Sequence, residues 1–88
     1  MYQISECLTV KDVTFIGSAT NNGLANKQPD FASCRSSCKS MGAQYFGFNY
    51  AGNRGCYCKN SNGGQKQQSG VISGETSCSG EMSIPNCC

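Results

Sequence analysis

Hydrophobic and polar residues alternate in four short runs of the sequence that predict β-strands. In the first run, TVKDVTFI, Val13 and Phe15 point to the same side and Gly17 ends the strand. The other runs are AQYFGFNY, CYCKN and VISG. The polar stretch SNGGQKQQSG, between the last two runs, predicts a flexible loop. The pattern therefore indicates a small sheet whose strands are joined by polar turns.

One segment has a helical rather than an alternating pattern. Its apolar positions recur at three- and four-residue steps on one face: Phe31, Cys34, Cys38 and Met41. Asp30 suits the N-cap, because its side chain can accept a hydrogen bond from the first turn and its charge matches the helix dipole. Gly42 suits the position that ends a helix. We therefore expect one helix over residues 31–41, and an α+β architecture.

The cysteine content indicates how so short a chain is stabilised. A chain of 88 residues buries little apolar surface, and eight cysteines at this length are typical of a disulfide framework. Such frameworks form in oxidising compartments, so we expect a secreted or extracellular protein, with a secretory organelle as one route. The net charge of +2 comes from scattered residues, and no apolar stretch is long enough to span a bilayer. We expect neither nucleic-acid binding nor membrane insertion.

Four of the cysteines are spaced to join the helix to a strand. Cys34 and Cys38 lie one helical turn apart, and Cys56 and Cys58 lie on one face of a strand. This geometry allows Cys34–Cys56 with Cys38–Cys58, or the crossed pairing, and each bridge would stabilise the fold by about 3 kcal/mol. Zinc is disfavoured, because structural zinc sites prefer other cysteine spacings and histidine, and the chain has no histidine. We expect no metal and no other cofactor.

The order of these motifs resembles the PAN/apple family over residues 6–78. A cysteine before the first strand is followed by the capped Cys-x-x-x-Cys helix, the strands QYFGFNY and GCYCKNS, and the tail SGVISGETSC. The residues that match the family's frame are Gly55, Cys56, Tyr57, Lys59, Gly70, Ser73, Gly74 and Cys78. The Cys-x-Cys motif with this tail is similar to the tandem apple modules of microneme adhesins from apicomplexan parasites. The same stretch also resembles carbohydrate-binding WSC modules.

The resemblance implies a small, disulfide-rich α+β fold, in which a curved antiparallel sheet of about five strands packs on one helix at about residues 31–41. We expect residues 1–6 to be the remnant of a linker and residues 7–78 to form the PAN/apple-like domain. Residues 79–88, which include Cys87 and Cys88, would be a C-terminal extension of the same module.

The resemblance also implies how the cysteines pair. Three bridges are predicted: Cys7–Cys78, Cys34–Cys56 and Cys38–Cys58. The first two correspond to bridges of the family. The third differs, because the family's usual partner for the second helix cysteine falls here at Ala43. Cys87 and Cys88 have no counterpart, and they either bridge each other or exchange partners with the terminal pair.

The function implied by the resemblance is that of an extracellular adhesion module, one of a tandem array, that binds a host-cell protein or glycan. The alternatives are a structural spacer in a multi-domain adhesin and a WSC-like carbohydrate-binding domain. The candidate ligand-binding residues combine an aromatic or planar apolar body with a polar end, or carry a charge: Tyr45, Tyr50, Arg54, Tyr57 and Lys59. Tyr57 lies opposite the cysteine face of its strand, so it is better placed for exposure than Tyr50.

Other function classes have less support. Lys59 and Lys66 flank a Gly-Gly loop and make a sulfated glycosaminoglycan a further candidate ligand, although two lysines are also an ordinary solvated surface. A small secreted toxin or inhibitor fits the cysteine count but not the apple-like strand order. We expect no enzyme activity and no catalytic residue, because the five acidic residues form no close pair and the cysteines have no histidine base.

Overall fold

The computed structural model of the chain describes residues 9–61 and 63–77, which form one helix and one antiparallel sheet. The elements in chain order are β1 (Thr9–Phe15), α1 (Phe31–Ser40), β2 (Tyr45–Phe48), β3 (Cys56–Lys59) and β4 (Gln65–Glu75). The strand order in the sheet is β1-β4-β2-β3. The α+β architecture agrees with the sequence pattern, whereas the resemblance implied about five strands and the described residues form four. Within these residues, no helix has the length and apolar character needed to cross a membrane.

The helix begins and ends as the capping residues predict. The Asp30 carboxylate accepts a hydrogen bond from the Ser33 amide at 2.8 Å, and this bond is the main cause that lowers the pKa of Asp30. Met41 is the C-cap, and Gly42 follows it in the left-handed region with φ of 79°. The last helical residue is therefore Ser40, one residue before the predicted end.

Two disulfides join the helix to β3. Cys34 bonds to Cys56 and Cys38 bonds to Cys58, with Cα–Cα distances of 5.5 and 5.1 Å. The pairing is the uncrossed one of the two that the spacing allows. The Cys38 and Cys56 sulfurs lie 3.6 Å apart, so the two bridges are in contact. The predicted Cys7–Cys78 bridge and the pairing of Cys87 and Cys88 lie outside the described residues.

The core forms between the helix and one face of the sheet. Its buried members are Cys34, Cys38, Ala43, Phe46, Phe48, Cys56, Cys58 and Ile72. Phe46 and Phe48 come from the same side of β2, as strand alternation predicts. Their register partners in β3 are Cys58 and Cys56, so the aromatic rings and the bridges form one continuous layer.

The last strand is much longer than the predicted VISG segment. β4 has 11 residues, and its first half comes from the stretch that was predicted to be a flexible loop. This half pairs with β1, with Val13 opposite Gln67 and Phe15 opposite Gln65. Residues 65–69 are all exposed, so the strand is held by backbone pairing rather than by an apolar face. The loop prediction was wrong for this reason, because a strand that is polar on both sides has no alternating pattern.

The sheet is curved, so its two edges approach each other. β1 and β3 are the outer strands, and in a flat sheet of four they would lie about 14 Å apart. Instead, the Lys59 ammonium donates a hydrogen bond to the Phe15 carbonyl, and Ala19 forms an isolated β-bridge with Lys59. The pairing of β1 with β4 is irregular beside Asp12, because residues 68–71 of β4 lie between the partners of Lys11 and Val13, and such an irregularity increases the local twist.

Removing the second bridge should lower the free energy of unfolding by about 3 kcal/mol, because Cys38–Cys58 closes a loop across 20 residues of sequence separation. Urea unfolding of the Cys38→Ala/Cys58→Ala variant, followed by circular dichroism, measures this loss. Ser36→Ala is the control, since Ser36 is exposed on the helix and should change stability by less than about 0.5 kcal/mol. A loss below about 1 kcal/mol in the double variant would mean that packing alone holds the helix.

Candidate ligand-binding cavity

A cavity of about 180 Å³ lies where β2 and β3 pair. Its lining residues are Thr14, Gly47, Phe48, Asn49, Tyr57, Lys59 and Val71. Cys56 and Cys58 face the helix, and side chains alternate along a strand, so Tyr57 and Lys59 face the opposite side of the sheet. Gly47 is the register partner of Tyr57 and has no side chain to fill the space in front of that ring.

The Tyr57 ring is fixed by two glycines. A Cβ atom on Gly23 would lie 2.2 Å from Tyr57 Cε2, and one on Gly55 would lie 3.2 Å from Tyr57 Cε1. The ring therefore lies directly against backbone that only glycine leaves open. The Tyr57 hydroxyl has no hydrogen-bond partner among the residues that the structure describes, and the side chain is half-buried. The cavity thus has a rigid aromatic wall with an available hydroxyl.

Lys59 provides the positive charge of the cavity. Its ammonium donates to the carbonyl of Phe15, which is a neutral partner. Partial burial lowers the pKa of Lys59, because a low-dielectric surrounding disfavours the charged form. None of the described lining residues carries a carboxylate, so Lys59 is the single charged group of this lining.

The structure brings only two of the five predicted ligand-binding residues together in the cavity, namely Tyr57 and Lys59. The Tyr45 ring packs edge-on against Phe15, with ring centroids 5.1 Å apart. Arg54 is exposed in the turn between β2 and β3, with φ of 61°. Neither Tyr45 nor Arg54 lines the cavity.

Tyr50, the fifth predicted residue, stabilises the irregular stretch where β1 pairs with β4. Its hydroxyl donates to the Asp12 carboxylate at 2.7 Å, and the Gly70 amide donates to the same oxygen at 3.0 Å. These two bonds lower the pKa of Asp12, and the bond to Asp12 raises the pKa of Tyr50. Asp12 has φ of 63°, a left-handed conformation that Asp tolerates better than most residues. The contact joins β1, β4 and the end of β2.

Sequence reasoning did not identify the other lining residues. Gly47 had the clearest signal, because a glycine inside the aromatic run YFGF indicates a place where side-chain space is needed. Thr14, Asn49 and Val71 had none, since they come from three different segments and meet only because the sheet curves. Asp12 also had a signal: it interrupts the apolar alternation of β1 between Val10 and Val13.

A metal site at the cysteine cluster is the other chemical possibility. The sulfurs of Cys34, Cys38 and Cys56 lie within 4.8 Å of one another, close enough to share an ion. All three belong to the two disulfides, however, and metals bind the thiolate form of cysteine. While these cysteines are oxidised, the cluster joins the helix to β3 and offers no thiolate to a metal.

No protein-family model, no curated protein and no solved structure matches this chain. The resemblance to PAN/apple modules therefore depends on the motifs named above. The functional argument depends on the geometry of the cavity, that is, on Tyr57 and Lys59 opposite the clamped face of β3.

The Asp12 contact should make the protein less stable in acid. The folded pKa of Asp12 lies below its ordinary 3.8, so its contribution is present above that value and is lost as the pH falls through the folded pKa. Urea unfolding between about pH 5 and about pH 2 should show a smaller acid loss for Asp12→Asn than for wild type. Asn tolerates the left-handed backbone, so the fold is kept. Tyr50→Phe removes the hydrogen bond that lowers the pKa of Asp12 most, so this variant should also lose less stability in acid than wild type does. A loss equal to that of wild type in both variants would show that the Asp12 contact does not cause the acid sensitivity.

Gly23→Ala should displace the Tyr57 ring, because the new Cβ would lie 2.2 Å from it. We expect the ring resonances of Tyr57 to shift and the stability to fall by about 1–3 kcal/mol, as measured by NMR and thermal unfolding. Gly47→Ala is the matched control. Its Cβ would meet only Ser73 Oγ, at an ordinary 3.7 Å, so wild-type stability is expected. Unshifted Tyr57 resonances in Gly23→Ala would show that the ring does not pack there.

Proposed function

We propose that this protein is an extracellular binding module of the PAN/apple type, which attaches to a protein or glycan on a host-cell surface as one unit of a tandem adhesin. The helix packed on an antiparallel sheet and the Cys34–Cys56 bridge support the family. A small domain stabilised by disulfides is compatible with an extracellular location. The cavity at Tyr57 and Lys59 is the observation that carries the binding role.

The cavity suits binding because its parts are held in place before a ligand arrives. Tyr57 is wedged against Gly23 and Gly55, and its strand is covalently attached to the helix on both sides of this residue. A rigid site loses little conformational entropy when it binds, so more of the contact energy becomes affinity. Tyrosine is favoured at such surfaces, since it joins a flat apolar ring to a polar hydroxyl.

The described lining also favours binding over catalysis. It contains no carboxylate, imidazole or thiol that would act together with Lys59 as an acid, base or nucleophile. The remaining polar side chains, Thr14, Asn49 and Tyr57, offer hydrogen-bonding groups.

The structural-spacer alternative has one observation in its favour. Tyr45 and Tyr50, two of the five candidate ligand-binding residues, are used in contacts within the fold. A spacer would bind nothing by itself, so a direct binding experiment separates the two functions. The WSC-like alternative does not need a separate test, because a WSC-like module would bind a glycan and the proposal already includes glycan ligands.

We expect the disulfide-intact protein to bind intact animal cells in flow cytometry, or defined members of a glycan array. Tyr57→Ala and Lys59→Gln should each lower that binding at least about tenfold, a loss typical of a residue at the centre of an interface. Lys39→Gln, which removes an exposed charge from the helix, is the matched control and should bind as wild type does.

Two results would contradict this proposal. A correctly folded wild-type protein that binds in neither format would be a spacer. Binding that is retained in both Tyr57→Ala and Lys59→Gln would place the ligand away from the cavity.

A further inference from the structure

We propose that the cavity binds the carboxylate of an acidic sugar at the end of a glycan, with the sugar ring against Tyr57 and the carboxylate on the Lys59 ammonium. This inference rests on the proposed function, because it specifies the ligand of the same site. Two features of the described residues support it: the charge and the size of the cavity.

The positive charge of the cavity favours an anionic ligand. Lys59 is the one charged residue of the described lining, and its partner there, the Phe15 carbonyl, does not neutralise it. The ammonium is partly buried, so water screens it less than it screens a surface lysine. A carboxylate that enters would form a charge-assisted hydrogen bond, which is roughly twice as strong as a neutral one.

The size of the cavity selects a single ring or substituent. Its volume of about 180 Å³ is below the range of pockets that hold drug-sized ligands, so it takes one ring or one substituent of a larger ligand. A terminal sugar does fit this description. The flat Tyr57 ring gives its apolar face a surface, and Asn49 and Thr14 offer hydrogen bonds to its hydroxyls.

A sulfated polysaccharide would bind differently. A long polyanion would engage Lys66 as well as Lys59, since Lys66 is exposed on the ribbon opposite Thr14. Binding of that kind falls steeply with added salt. An acidic sugar in the cavity depends on Lys59 alone, so the two lysines distinguish the ligands.

The test is an NMR titration of the ¹⁵N-labelled, disulfide-intact chain with glucuronic acid and with N-acetylneuraminic acid, and with glucose as the neutral control. The acidic sugars should shift the amide signals of Gly47, Tyr57 and Lys59, and glucose should not. Lys59→Gln should weaken binding at least about tenfold, as expected for the loss of a charge-assisted bond. Lys66→Gln removes the same charge from the exposed ribbon and should change affinity less than about twofold.

A second variant keeps the test decisive if Lys59→Gln alters the fold. Gly47→Ala makes only an ordinary contact with Ser73, so its spectrum should otherwise match wild type. Its methyl group occupies the space where the sugar would lie, and binding of the acidic sugars should be lost. Binding at wild-type strength in a folded Gly47→Ala protein would overturn the inference.

Other outcomes would also overturn the inference. Equal shifts with glucose would show that the cavity does not prefer acidic sugars. Equal or tighter binding of free glutamate would show that the cavity recognises a carboxylate without the sugar ring. Equal losses in Lys59→Gln and Lys66→Gln, with heparin as the stronger ligand, would assign a surface polyanion site. The titration does not depend on cell binding, so failure of this inference and failure of the proposed function are separate results.

Discussion

Two neighbouring disulfides hold the helix against the third strand, and most of the fold depends on this covalent contact. The sulfurs of the two bridges lie 3.6 Å apart in a layer that also contains Phe46 and Phe48. In so small a domain an apolar core alone gives little net stability, and cross-links act by restricting the unfolded chain. The bridges also fix the directions in which the side chains of β3 point. With Cys56 and Cys58 attached to the helix, Tyr57 and Lys59 have to face the other side of the sheet.

The cavity needs a second constraint, which is the curvature of the sheet. The bulge in β4 opposite Asp12, which contains the left-handed Gly70 with φ of 89°, bends the β1–β4 ribbon. The ribbon reaches the opposite edge, where Phe15 contacts Lys59 and Tyr45. The candidate site therefore lies between two elements. One is β3, which the disulfides attach to the helix, and the other is the β1–β4 ribbon, which hydrogen bonds stabilise. Lys59 belongs both to the contact between the two edges and to the lining of the candidate site.

The local parts of this structure could be predicted from the sequence, because their signals come from nearby residues. Asp30 and Gly42 mark the helix, and the Cys-x-Cys alternation separates the faces of β3. The ribbon could not be predicted, since residues 65–69 are exposed and their pairing with β1 leaves no apolar pattern. The cavity was only partly predictable. Tyr57 and Lys59 were candidates from residue type and face, whereas Thr14 and Val71 join them through curvature that depends on distant segments.

The disulfide connectivity tests the central claim most directly, and cleavage of the unreduced protein by trypsin and chymotrypsin reads it out. Cleavage after Arg35 separates the two helix cysteines, and cleavage after Tyr57 separates the two strand cysteines. Mass spectrometry should then find peptide 32–35 joined to 55–57, and peptide 36–39 joined to 58–59. The crossed combinations, or free thiols in these four peptides of folded protein, would contradict the account.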